Sequence, residues 1–244
     1  MRLILILIIM IFVSFVAKSD QIYEILKLPN LEIYNNSQNK VKFLYAKDNV
    51  NAGVGINSVN CEKPIKKDLD NKIISSDINF KRYSNFFLDD IKLKYVVFCD
   101  NLKVSEISAH GFANPEMKTI ILNTSSDKRI FKRILHHEIF HFIHHNHKKK
   151  FNEKEWNSLN KSNFLYSNCN SCENSTSLKI LKSTNGFFTD YSKYSLSEDM
   201  AETFSVIMTE NIKIKKKLEN DQILRKKVNF IKKNVLKIDK NFKF

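Results

Sequence analysis

His137-Glu138-Ile139-Phe140-His141 decides how the rest of this sequence is read. If the stretch is helical, the i, i+4 spacing puts both imidazoles on one face, where they can grip a single zinc ion. Glu138 then leans towards the open coordination position, where a carboxylate can take a proton from water that the metal activates. The surroundings predict that helix. Ser125-Ser126-Asp127 supplies N-cap chemistry, and Ile130, Phe131, Ile134, Leu135 and Phe142 recur at helical spacing, carrying the helix to about Asn146. His136, His144, His145 and His147 crowd the same segment, so a solvated, histidine-rich helix end is the competing reading.

A catalytic zinc needs a third protein ligand, and two candidates stand in the sequence. His147 lies ten residues beyond His137, matching the outer frame of HExxHxxxxxH. That frame needs Gly where this chain has His144, because the helix must break sharply to swing the last histidine round, and Asn146 gives only partial relief. The alternative is a carboxylate from a later helix. Ser195-Leu196-Ser197-Glu198 has the form of a capping box, and Met200, Phe204, Ile207 and Met208 follow as a buried stripe. Glu198 and Glu202 are four residues apart and share a face, so one can bind metal while the other orients a ligand histidine from behind. The glutamate reading is the favoured one. Tyr191, a short turn ahead of this helix, carries a phenolic donor that could meet an oxyanion; the alternative is a packed aromatic.

Outward from these helices, Leu93 to Cys99 (LKYVVFC) and Thr119 to Asn123 (TIILN) read as strands. Residues 20–75 show short apolar runs and turn clusters without a chemical motif, and are taken as an N-terminal segment of unknown role. Residues 76–210 are taken as the domain that holds the site. Residues 211–244 carry 12 Lys and Arg against 3 Asp and Glu, with Leu224, Val228, Ile231 and Val235 at i, i+4, i+7 and i+11. That is a basic amphipathic helix, expected to dock on the domain, with contact to an anionic surface as the second reading.

Leu3 to Ala17 is apolar apart from Ser14 and follows Arg2, which predicts a signal peptide over residues 1–19 and export; an uncleaved N-terminal membrane anchor is the alternative. In an oxidising compartment the four cysteines suggest disulfides, and Cys61–Cys99 and Cys169–Cys172 are the favoured pairs. The 244 residues carry 43% hydrophobic side chains, enough for a packed core. Only 4 Gly and 3 Pro exclude collagenous, low-complexity and Gly-rich nucleotide-loop designs. The net charge of +14 comes from a general abundance of lysine with no Arg-rich tract, and no specific nucleic-acid partner is expected.

Gly186 to Phe204, GFFTDYSKYSLSEDMAETF, joined to the upstream HEIFH, resembles the catalytic domain of anthrax lethal factor-like gluzincins. It is closer still to a group of exported bacterial zinc metallopeptidases. Those show an aromatic pair, a Tyr, a Glu seven residues on and a second Glu in an E-x-x-A-E context; here these are Tyr191, Glu198 and Glu202. Trp156, Leu159, Asn160, Phe164 and Tyr166 also look like that group's W-x-x-L-N-x-x-x-F-x-Y element. The resemblance covers about residues 90 to 210 and departs from the group in the CxxC insertion, the histidine-rich helix end and the first 70 residues. It implies Glu198 as third ligand beside His137 and His141, Glu202 as a supporting residue, and Tyr191 as hydrogen-bond donor to the transition state.

The expected fold is α+β and zincin-like. A small mixed sheet has an edge strand, assigned to Thr119–Asn123, packed on the HExxH helix. A ligand-bearing helix and a C-terminal amphipathic helix follow. The expected function is an exported endopeptidase with one catalytic zinc, Glu138 as general base and a peptide or protein substrate. A zinc hydrolase of a non-protein amide such as cell-wall material, and a non-catalytic basic zinc-containing binding protein, are the rival classes.

Overall fold

The computed structural model describes residues 30–34, 40–53, 58–167, 177–210, 212 and 214–244. The signal peptide expected at 1–19 and the Cys169–Cys172 pair lie outside the described residues. In chain order the elements are β1 (Leu31–Ile33), β2 (Lys42–Ala46), β3 (Val50–Ala52), β4 (Val59–Glu62), α1 (Lys66–Phe80), α2 (Asn85–Asp90), β5 (Tyr95–Val104), β6 (Ile107–Ser108), β7 (Gly111–Asn114) and β8 (Thr119–Asn123). Then come α3 (Lys128–Asn146), α4 (Glu153–Asn157), a 3₁₀ turn (Tyr191–Lys193), α5 (Leu196–Glu210), α6 (Lys215–Asn220) and α7 (Gln222–Leu236). The fold is mixed α+β.

β5 organises the sheet. Its first half runs parallel to β2 on one side and to β8 on the other, while its second half pairs antiparallel with β4 and β6. β1 and β7 close the first half as antiparallel outer strands. The two-residue period of a strand sorts the side chains. Val96 and Phe98 of β5, with Ile120 and Leu122 of β8, join the main core beneath the helices; Tyr95 and Val97 pack on the opposite face with Leu44. Cys61 of β4 and Cys99 of β5 form a disulfide, with Cα atoms 5.9 Å apart.

Two expectations need correction. Thr119–Asn123 is a strand with the expected bounds, but not the edge. β7 pairs along its outer side, so Gly111–Asn114 is the outermost strand on that flank among the described residues, and both β7 and β8 pack against α3. A four-residue strand that opens on a glycine has too little pattern to be recognised without its pairing partner. The boundary placed after residue 75 falls inside α1, and strands from 42–62 belong to the same sheet as β5. Val41, Phe43, Leu69 and Ile73, all from before that boundary, join the main core with the helices.

The helices follow their local signals. Asp127 caps α3, accepting from the backbone N–H groups of Arg129 and Ile130 at 2.8 and 3.0 Å. Buried Leu224, Val228, Ile231 and Val235 hold α7 in the main core. Asp221 caps it, accepting from Leu224 N–H at 2.9 Å with one oxygen, while the other accepts from Thr184 Oγ1 at 2.5 Å and Gly186 N–H at 2.6 Å. Gly186 has φ +88°, and a Cβ there would sit 2.8 Å from Ile223 Cγ2, so this turn needs glycine. Among the described residues, no helix is long and apolar enough to cross a membrane.

Candidate metal centre

α3 and α5 pack together, and the facing stripe of each is polar where the site lies. His137 and His141, one turn apart on α3, meet Glu198 in the first turn of α5. Glu198 Oε2 is 2.8 Å from His137 Nε2, and its Oε1 is 3.6 Å from His141 Nε2; the two Nε2 atoms are 3.1 Å apart. Ligand atoms of the three residues all fall within 4.8 Å of one another. Each imidazole has its other nitrogen engaged: His137 Nδ1 lies 3.0 Å from Glu202 Oε1, and His141 Nδ1 lies 3.3 Å from Ser197 Oγ. That leaves both Nε2 atoms aimed at one point.

Glu202 is fully buried and does not reach solvent. It accepts from Arg133 Nη2 at 2.6 Å and from Thr189 Oγ1 at 2.8 Å. Burial would raise its pKa, but the Arg133 charge and the hydrogen bonds from His137 and Thr189 take it below the ordinary carboxylate value. Burial likewise works against ionised Glu198 and is outweighed by His141 and His137, which hold it well below the ordinary value. Burial also works against a charge on His137, yet Glu198 and Glu202 raise its pKa well above the ordinary imidazole value. The surroundings therefore favour positive charge at this point. Two imidazole nitrogens and a carboxylate oxygen are a donor set that zinc takes with a fourth position open, so the three residues fit a metal ion and could hold one.

A cleft of about 480 Å³ opens beside these atoms. Gly111, Phe112 and Ala113 of β7 line it together with Glu138, Tyr191 and Glu198. Glu138 is 5% exposed, and burial raises its pKa against the opposing pull of His137 and His141. Tyr191 stacks obliquely on His137, with ring centroids 5.8 Å apart. Burial first, then Glu198 and Glu138, raises its pKa well above the ordinary phenol, so the hydroxyl keeps its proton. β7 comes so close to α3 that a Cβ on Gly111 would lie 2.5 Å from Ile134 Cγ2 and 2.7 Å from Glu138 Oε1.

The remaining histidines go elsewhere. α3 continues to Asn146, and His147 Nε2 is 2.8 Å from Asp90 Oδ2, outside the cluster. His136 is buried between Tyr83 and Asn79, and burial pushes it down to about 3. His144 and His145 face Glu153 and Glu116, each at 3.6 Å. The capping box forms by half: Glu198 N–H reaches Ser195 Oγ at 3.3 Å, while the Glu198 carboxylate turns to His137.

Sequence reasoning missed Gly111, Arg133, Thr189, Asp199 and Lys227. The W-x-x-L-N-x-x-x-F-x-Y element pointed at one of them. Trp156 Nε1 and Tyr166 OH both donate to Asp199 Oδ2, at 3.0 and 2.7 Å, and Asn160 donates to Tyr166 at 3.0 Å. The element thus braces the residue next to Glu198.

A family model described as "Putative zinc-binding metallo-peptidase" matches residues 111–241, from β7 to beyond α7. No curated protein and no solved structure matches the chain.

Proposed function

This chain belongs to the zinc-binding metallo-peptidase family, and from that premise we propose that it is an exported, zinc-dependent endopeptidase of gluzincin type with a zincin-like fold. The observation that carries the proposal is the convergence of His137, His141 and Glu198 beside Glu138, at the wall of a cleft bordered by an outer strand. His137, His141 and Glu198 would hold one zinc ion, which when bound polarises the scissile carbonyl and makes water acidic enough to attack near neutral pH. Glu138 takes the proton from the attacking water and passes it to the departing amine; a pKa raised by burial suits a group that must both accept and release a proton. Tyr191, held as a protonated phenol, donates to the oxyanion of the tetrahedral transition state. Glu202 keeps the His137 ring turned so that Nε2 faces the metal. An extended peptide adds along the outer side of β7, its backbone meeting the strand and its side chains reaching the cleft.

The test is incubation of purified, zinc-quantified protein with a mixed peptide library, followed by sequencing of the product ends. The expected result is internal cleavage that stops on chelation and returns with zinc. Intact peptides alongside release of amides from cell-wall fragments would replace the peptidase reading.

A further inference from the structure

Among the described residues of the basic C-terminal segment is a lysine, Lys227, whose charge never meets water. Lys227 and Asp199 are both fully buried, with Lys227 Nζ donating to Asp199 Oδ2 at 2.7 Å and to the Gly186 carbonyl at 2.8 Å. The ammonium lies 3.7 Å from the Phe187 ring centroid. Removing an ammonium and a carboxylate from water together is a poor route to stability, because well-packed apolar residues of similar volume often do as well or better. What the pair does provide is position. Nζ ties together three pieces of chain: α7, the first turn of α5 at the residue after Glu198, and the turn at Gly186, five residues before Tyr191. Asp199 Oδ2 accepts from Trp156 and Tyr166 at the same time, so three donors of different geometry converge on one oxygen and fix it.

We propose that Lys227 is a positioning residue that, through Asp199 and Gly186, sets Glu198 for the metal and Tyr191 for the oxyanion. This rests on the metal-peptidase reading above. It makes α7 a strut of the site, although none of its residues lines the cleft.

The experiment compares wild type, Lys227→Met and the double variant Asp199→Asn/Lys227→Met. Zinc affinity is measured by competition with a chromophoric chelator, kcat and KM on a cleaved peptide, and Tm by calorimetry, with all assays run below the lowest Tm. Lys227→Met should melt earlier, because it strands a buried carboxylate. The double variant removes both charges yet leaves an acceptor for Trp156 and Tyr166, so its Tm should recover to near wild type. Its zinc affinity should nonetheless stay about 10-fold or more below wild type, with kcat reduced more than KM is changed. If the double variant binds zinc and turns over like wild type, the pair is merely structural and the positioning role is wrong. Absence of zinc binding by wild type itself would instead remove the premise, and the proposal with it.

Discussion

Glu202 Oε1 lies 3.0 Å from His137 Nδ1, behind a ring whose other nitrogen faces Glu198 at 2.8 Å. The two glutamates, one turn apart on α5, thus address opposite edges of one imidazole. Glu202 is also the partner of buried Arg133. Glu202→Ala should therefore cost about 3–5 kcal/mol by stranding the guanidinium. It should also weaken zinc about 10–100-fold by freeing the His137 ring. Thermal melting and chelator competition read the two effects separately.

Metal content separates ligands from bystanders. One zinc per chain is expected, and alanine at His137, His141 or Glu198 should each empty the site. His147→Ala should keep the metal, since His147 is turned to Asp90. Loss of zinc with His147→Ala alone would restore the histidine reading of the third ligand.

Tyr191→Phe should retain zinc and fold while kcat drops by about 10²–10³, the usual cost of one oxyanion donor. Glu138→Gln should lower turnover further, because it removes the proton acceptor for water. Parallel kinetics and metal analysis of both variants are the check, and undiminished turnover by Tyr191→Phe would return Tyr191 to the role of a packed aromatic.

Gly111→Ala places a methyl 2.7 Å from Glu138 Oε1 and 2.5 Å from Ile134 Cγ2. Strand and helix must separate or Glu138 must move. A loss of about 1–3 kcal/mol in stability is expected, together with a lower kcat. Denaturant unfolding and steady-state kinetics test this, and a variant that equals wild type in both would show that β7 has room to shift.

Asp221 links α7 to the Thr184–Gly186 turn, and its pKa is lowered. Burial opposes ionisation, but the Leu224 N–H, the Thr184 hydroxyl and the Gly186 N–H outweigh it. A carboxylate whose folded pKa is depressed adds stability that is fully present above its unfolded value of about 3.9. That stability is lost as pH falls through the folded value. Wild type should therefore lose stability in acid more steeply than Asp221→Asn, and the two curves should converge at the lowest pH. Unfolding free energy measured against pH for both proteins is the check; parallel curves would rule out this linkage.

Local chemistry made much of the molecule legible. The period of Ile130 to Phe142 and the Asp127 cap defined α3 to within a residue or two, and β-branched runs located β5 and β8. The stripe Leu224–Val235 marked α7. These patterns involve neighbours a few residues apart, so they survive in the bare sequence. The outer strand, the metal cluster and the brace behind it do not. Glu198 meets His137 across 61 residues, and Lys227 meets Asp199 across 28. Which strand ends as the outermost, whether His147 turns inward or to Asp90, and which edge of His137 each glutamate takes are settled by how α3, α5 and the sheet pack. Helical spacing shows only that Glu198 and Glu202 share a face. Only the packed partner decides which nitrogen each one meets, because burial makes an unpaired polar atom costly and in this packing both ring nitrogens of His137 face a carboxylate.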